Sequence, residues 1–185
     1  MIKKRKTSTS TRIFILLGII LVLSSCAHKQ PQPYKHFEEA SKKLNTPTLI
    51  SDYQQKYFEW KTNDQGGGCI GVNGIVDIGV NLAECPPSFI FDNNGKGNCG
   101  ASTTFAIYLL RKAGYEAYAL YTYWKWPDQL APGHQPRDYH IMTLYKEKGK
   151  WYTINNGLPE PEGIKGPFNN IEDLPYKVLR VDKKY

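Results

Sequence analysis

"GKGNCGASTTFAIYLLRKAG", residues 95–114, sets a cysteine between glycines and an amphipathic run. Ala101, Phe105, Leu109 and Lys112 share one helical stripe, with Ala106, Leu110 and Ala113 beside it, and Gly114 follows as a stop. The spacing predicts a helix over 99–113 with Cys99 at its first position. Free backbone N–H groups and the helix dipole favour a thiolate there. Gly95 and Gly97 allow a tight approach to that position. Taken alone, the stretch leaves Cys99 open between a nucleophile and a small buried side chain.

A cysteine nucleophile needs an imidazole to take its proton and a third polar group to hold that imidazole. Downstream, YEAYALYTYW (115–124) reads as a strand, and DYHIMTLYKEKGKWYTINNG (138–157) as two strands around a turn near Lys148-Gly149. His140 lies on the first strand of this hairpin and Asn155 on the second. A turn at Glu147-Lys148 sets the two side chains directly opposite one another, and a turn at Lys148-Gly149 sets them diagonally on the same face. A one-residue change in the loop would present Asn156 instead. His134 sits in the preceding loop, where it is held less firmly than a strand residue, so His140 is the favoured base.

Together these parts resemble the transglutaminase-like superfamily. The matching residues are Gly97-Asn98-Cys99, the helix end Leu109-Leu110-Arg111-Lys112-Ala113-Gly114-Tyr115, the His140 strand, and Gly149-Lys150-Trp151-Tyr152-Thr153-Ile154-Asn155. Upstream, Tyr57-Phe58-Glu59-Trp60-Lys61 looks like the family's N-terminal helix. The resemblance implies a transglutaminase-like or papain-like α+β core, with the nucleophile helix packed on an antiparallel sheet and a catalytic triad of Cys99, His140 and Asn155. The third member falls four residues after a tryptophan in that family, which selects Asn155. Asn98 and Asn155 stand where the family usually carries aspartate, and a neutral amide still orients imidazole in Cys-His-Asn enzymes. The amide favours hydrolysis over cross-linking. Gly97-Asn98-Cys99-Gly100-Ala101-Ser102 also looks like the papain motif, but there the nucleophile would be Ser102, and fewer than 90 residues remain for a histidine expected about 130–150 residues on. For the oxyanion, the Cys99 N–H is the natural first donor, with Asn98 or Asn94 as candidates for the second.

The rest of the chain sets the context. A basic start, an apolar run of 11 residues (Ile13–Leu23) and small residues make residues 1–25 a secretory signal, too short to span a bilayer. Leu23-Ser24-Ser25-Cys26 resembles the bacterial lipobox, which implies lipidation of Cys26, a tether over 26–33 and a domain over 34–185. Ala27 in place of aspartate leans toward the outer membrane of the cell envelope, if the host has one. Five basic residues and no acid lie in the signal, which leaves +2 of the formal +7 for the remainder, so the charge gives no support for nucleic acid as a partner. In an exported protein Cys69 and Cys85 can pair across the glycine-rich excursion 66–87, stabilising it by about 3 kcal/mol, and Cys99 is then the free thiol.

No zinc spacing and no P-loop is present, and no metal or cofactor is expected. Residues 34–44 and TLISDYQQKYFEW (48–60) read as helices, the second with Leu49, Tyr53, Tyr57 and Trp60 as its apolar stripe. One short strand is expected around 75–80 and a last one in YKVLRVD (176–182), with the stretch from Gly157 between them rich in loops. Trp124, Trp126 and Tyr139 either line a substrate groove or pack in the core. The expected activity is cleavage of an amide bond in a peptide, a protein or a cell-wall peptide through an acyl-enzyme. The alternatives are acyl transfer by the same triad and a non-catalytic binding module with the same fold.

Overall fold

Proline, capping and aromatic packing place the helices. The computed structural model describes residues 31–61, 70–71, 74–75, 86–123, 139–158 and 161–183. Cys26, Cys69, Cys85, His134, Trp124 and Trp126 lie outside the described residues, as do the side chain of Tyr139 and residues 66–69, 72–73 and 76–85 of the 66–87 excursion. The chain divides into residues 1–30 and a unit of residues 31–185.

Four helices are described in that unit: α1 (Phe37–Lys43), α2 (Pro47–Tyr57), α3 (Pro87–Asp92) and α4 (Cys99–Lys112). Thr46 caps α2 by accepting from the Leu49 N–H, and Pro47 occupies a first-turn position where no N–H is needed. The helix buries Ile50, Ser51, Tyr53 and Gln54, whereas Leu49 is 45% exposed. The apolar stripe is thus turned by one position from the expected one, because the polar Gln54 and Ser51 have buried partners of their own. Phe58 is extended and ends the helix, and Glu59 and Trp60, expected to continue it, form a short strand.

That strand, β1 (Glu59–Trp60), brings the N-terminal half to the start of α4. Short strands β2 (Ile70–Gly71) and β3 (Gly74–Ile75) pair with one another, and β4 (Lys96–Gly97) runs parallel to β1. After the unanticipated α3, Asn94 and Gly95 turn the chain with φ of 56° and 62°. A side chain at Gly95 would come within 2.1 Å of the Phe58 ring, so this close approach requires glycine as much as the backbone does. Asn98 then caps α4, its Oδ1 accepting from the N–H groups of Gly100 (3.0 Å) and Ala101 (3.2 Å).

Nearly every side of α4 is covered: ten of its residues are buried. Phe105 is fully buried, with the rings of Phe37, Tyr53 and Phe58 within about 6 Å of its own. Burial of a side chain of this size contributes about 1.5–3 kcal/mol. At the far end, Gly114 (φ 91°) stops the helix, and Arg111 donates from Nε and Nη2 to the Ala117 carbonyl at 2.8 and 2.6 Å, tying α4 to the strand that follows.

That strand is β5 (Glu116–Tyr123), followed by β6 (Tyr139–Glu147), β7 (Lys150–Asn155), β8 (Gly163–Phe168) and β9 (Val178–Asp182). They form one antiparallel sheet in the order β8-β7-β6-β5-β9. Lys148 (φ 50°) and Gly149 (φ 78°) form the two-residue turn between β6 and β7, with Glu147 opposite Lys150. Ala117, Ala119, Tyr121, Ile141 and Tyr145 face α4, while Leu120, Met142 and Leu144 join Leu174 in a smaller cluster on the other face. The observed fold is therefore α+β, with α4 packed on an antiparallel five-stranded sheet. The expectation of loop from Gly157 to the last strand is corrected by β8. GIKGPF lacks apolar alternation, yet it adds to the sheet through backbone pairing with β7, at an edge where Pro167 is tolerated.

Candidate active site

Two departures from regular structure create the site. β7 pairs with β6 only as far as Ile154 opposite Thr143, and then leaves the ladder through Asn155-Asn156-Gly157. The first residue of α4 fills the place it vacates: a Cβ on Gly157 would lie 2.4 Å from the Cys99 Cα. On the β6 side the Thr103 hydroxyl donates to the Ile141 carbonyl at 3.2 Å, and the Ile141 N–H acts on the Cys99 thiol in the direction that favours thiolate. Cys99 is thus fixed beside the residue that follows His140.

The hairpin turn selects the diagonal register. His140 and Asn155 lie on one face, two positions out of step, and His140 Nε2 meets Asn155 Oδ1 at 2.6 Å. Both are buried, at 4% and 3% exposure. Alternation along β6 sets His140 on the face of Met142 and Leu144, away from the body of α4. Cys99 packs with the cluster on the α4 side of the sheet, at the helix tip beside the opening left by β7.

Asn155 donates its Nδ2 to Glu162 Oε2 at 2.6 Å, and Glu162 pairs with Lys165 at 2.9 Å. A carboxylate only accepts, so the amide nitrogen of Asn155 faces Glu162 and its oxygen faces the ring. The neutral imidazole then carries its proton on Nε2, leaving the Nδ1 lone pair as the basic site. Burial pushes the His140 pKa below its ordinary value, against the opposing pull of the Asn155 hydrogen bond and the Glu162 charge. Burial also raises the Cys99 pKa, outweighing the N–H groups of Ile141, Gly100 and Cys99 that favour thiolate. The helix-start N–H groups thus act in the expected direction, and burial works against them with the larger effect. Both directions favour the neutral forms of thiol and imidazole at neutral pH, and Cys99 is free of any disulfide.

The remaining candidates fall into structural roles. Asn98 is the cap of α4, its oxygen committed to two backbone N–H groups. Asn94 lies exposed in the turn after α3, its Oδ1 accepting from Gln32 at 3.4 Å. Asn156 is a buried peg: it donates to the Ser51 carbonyl and hydroxyl and to Gln54 Oε1, and accepts from the Gly163 N–H. Ser102, which stands at the papain nucleophile position, is buried in α4 and bonded to Gln54 at 3.0 Å. The cap occupies the Gly100 and Ala101 N–H groups and not that of Cys99. No group of three metal-ligating side chains occurs among the described residues.

Glu162 and Gly157 escaped the sequence reading. The acid of Glu-Pro-Glu soon after Asn155-Asn156-Gly157 was the only signal for the first, and proximity in sequence does not say which side chain it meets. The chain matches no known family, no curated protein and no solved structure.

Proposed function

We propose that the chain is a transglutaminase-like cysteine hydrolase that cleaves an amide bond with Cys99, His140 and Asn155, held at the cell envelope by a lipid on Cys26. The reading is carried by one observation: a thiol at a helix start is acted on by the N–H of Ile141, whose neighbour His140 is oriented by Asn155 at 2.6 Å. In the proposed reaction the sulfur attacks the carbonyl carbon as its proton passes to His140 Nδ1. The Cys99 N–H stabilises the oxyanion. His140 returns the proton to the leaving nitrogen as the C–N bond breaks, giving a thioester. Water then attacks the thioester, losing a proton to His140, and the C–S bond breaks as the thiol is regenerated. A neutral resting pair suits general-base attack, in which thiolate forms only as the sulfur bonds to carbon.

Peptides, proteins and cell-wall peptides are the proposed substrates. The test is labelling by a peptidyl electrophile in the wild type, Cys99→Ala and His140→Asn. Labelling should vanish in Cys99→Ala and slow about 100-fold or more in His140→Asn, the contribution expected of a general base. Undiminished labelling of His140→Asn would refute the reading. Product analysis with and without an added amine separates hydrolysis from acyl transfer.

A further inference from the structure

We propose that Glu162 is a positioning residue: its carboxylate fixes the amide of Asn155 and, through it, the tautomer of His140. The inference rests on the reading of Cys99 and His140 as thiol and base, and adds a group that this reading does not contain. In a triad ending in a carboxylate the imidazole has no choice, because the third group can only accept. An asparagine offers the ring either an acceptor or a donor, and a flip of the amide would force the histidine proton onto Nδ1, the nitrogen that the proposed reaction uses as its base. Something must choose, and among the described residues Glu162 is placed to do so. Glu162 Oε2 lies 2.6 Å from Asn155 Nδ2 and accepts only, so the flipped amide would set oxygen against oxygen.

The carboxylate is itself held in place. Lys165 donates to it at 2.9 Å and the Tyr176 hydroxyl lies at 3.5 Å from the same oxygen. Burial raises its pKa, but the hydrogen bonds from Lys165 and Asn155 bring it below the ordinary carboxylate value, so it stays ionised at neutral pH. Beside the Asn155–His140 pair, Glu162 and Lys165 come from the β8 end and Tyr176 from the segment before β9. The negative charge that a triad aspartate would place on the ring is supplied here one residue further out.

The test reads the tautomer directly, from two-bond proton–nitrogen correlations of the imidazole in 15N-labelled protein at pH 8, with the His140 signals assigned by their loss in His140→Asn. The wild type should show the Nε2–H form alone. In Glu162→Gln the amide of the new side chain can donate to Asn155 Oδ1, so an Nδ1–H population should appear, and alkylation of Cys99 by iodoacetamide should slow about tenfold, as loss of a supporting partner commonly does. The double variant Asn155→Asp with Glu162→Gln moves the carboxylate onto the ring and should restore the Nε2–H form. Lys165→Met removes one donor to the carboxylate but keeps the acceptor, with Asn155 Nδ2 still 2.6 Å from it, and should keep the Nε2–H form. An unchanged tautomer in Glu162→Gln, no restoration in the double variant, or a Lys165→Met protein that behaves like Glu162→Gln overturns the proposal. The tautomer needs no substrate: if His140→Asn leaves alkylation of Cys99 unchanged, the hydrolase reading falls, while a shifted tautomer in Glu162→Gln still upholds the role of Glu162.

Discussion

At the scale of single residues, burial sets the chemistry of the site. His140 is 4% exposed and its pKa lies below the ordinary 6.5, so the folded chain holds fewer protons on this ring than the unfolded chain does under acid conditions. Above pH 6.5 both states carry a neutral ring and the residue contributes no slope. As pH falls below that value the unfolded state takes up the proton first, and stability drops until the folded ring titrates as well. Urea unfolding at a series of pH values should therefore show a steeper acid loss for the wild type than for His140→Asn between pH 6.5 and pH 5; equal slopes would contradict a buried neutral ring.

Neighbouring asparagines have opposite duties for the same kind of reason. Asn155 meets the ring and a carboxylate, while Asn156 binds α2 and the start of β8. Asn156→Ala strands the Gly163 N–H and Gln54 Oε1, each of which costs about 1–3 kcal/mol when buried without a partner. Denaturant titration should show that loss.

At the scale of elements, the decisive contact is between the exit of β7 and the tip of α4. Gly157 meets the Cys99 Cα so closely that a methyl group, 2.4 Å away, has no room. Gly157→Ala should push α4 from the opening in the ladder, destabilising the fold by about 1–3 kcal/mol through overpacking. It should also slow peptidyl-probe labelling of Cys99 more than its loss of stability would account for. A variant with wild-type labelling and a wild-type melting temperature would show that the contact is not needed. The hairpin contributes from its other end, since the turn at Lys148-Gly149 is what makes Asn155 diagonal to His140.

At the scale of the whole molecule, α4 joins the two halves. Its aromatic side packs Phe105 among rings from α1, α2 and the chain beyond α2, and its other side lies on β5 and β6. Phe105→Ala should cost about 3–5 kcal/mol, a large part of a domain stability of about 5–15 kcal/mol. Circular dichroism on heating should show a lowered or lost transition. Because residues 31–185 form a unit of their own, a protein lacking residues 1–30 should retain the wild-type melting temperature, and a broad, non-cooperative transition would count against that unit.

The local elements near the site are written in neighbouring residues of the chain. The stripe from Ala101 to Leu110, Gly114 as a stop and Lys148-Gly149 as a two-residue turn specify α4 and the β6–β7 hairpin, because helix periodicity, left-handed glycine and strand alternation are properties of neighbours in the chain. The pairing of His140 with Asn155 followed from them, since a turn fixes the register for the strands it joins. Only the tertiary structure decided what those side chains meet from elsewhere. Burial raised the Cys99 pKa against its helix end, β8 formed from a stretch without apolar alternation, Asn156 became a peg for α2, and Glu162 reached the amide of Asn155. Desolvation, edge pairing and side-chain hydrogen bonds depend on groups distant in the chain or on how intervening loops close. No spacing within one segment encodes them.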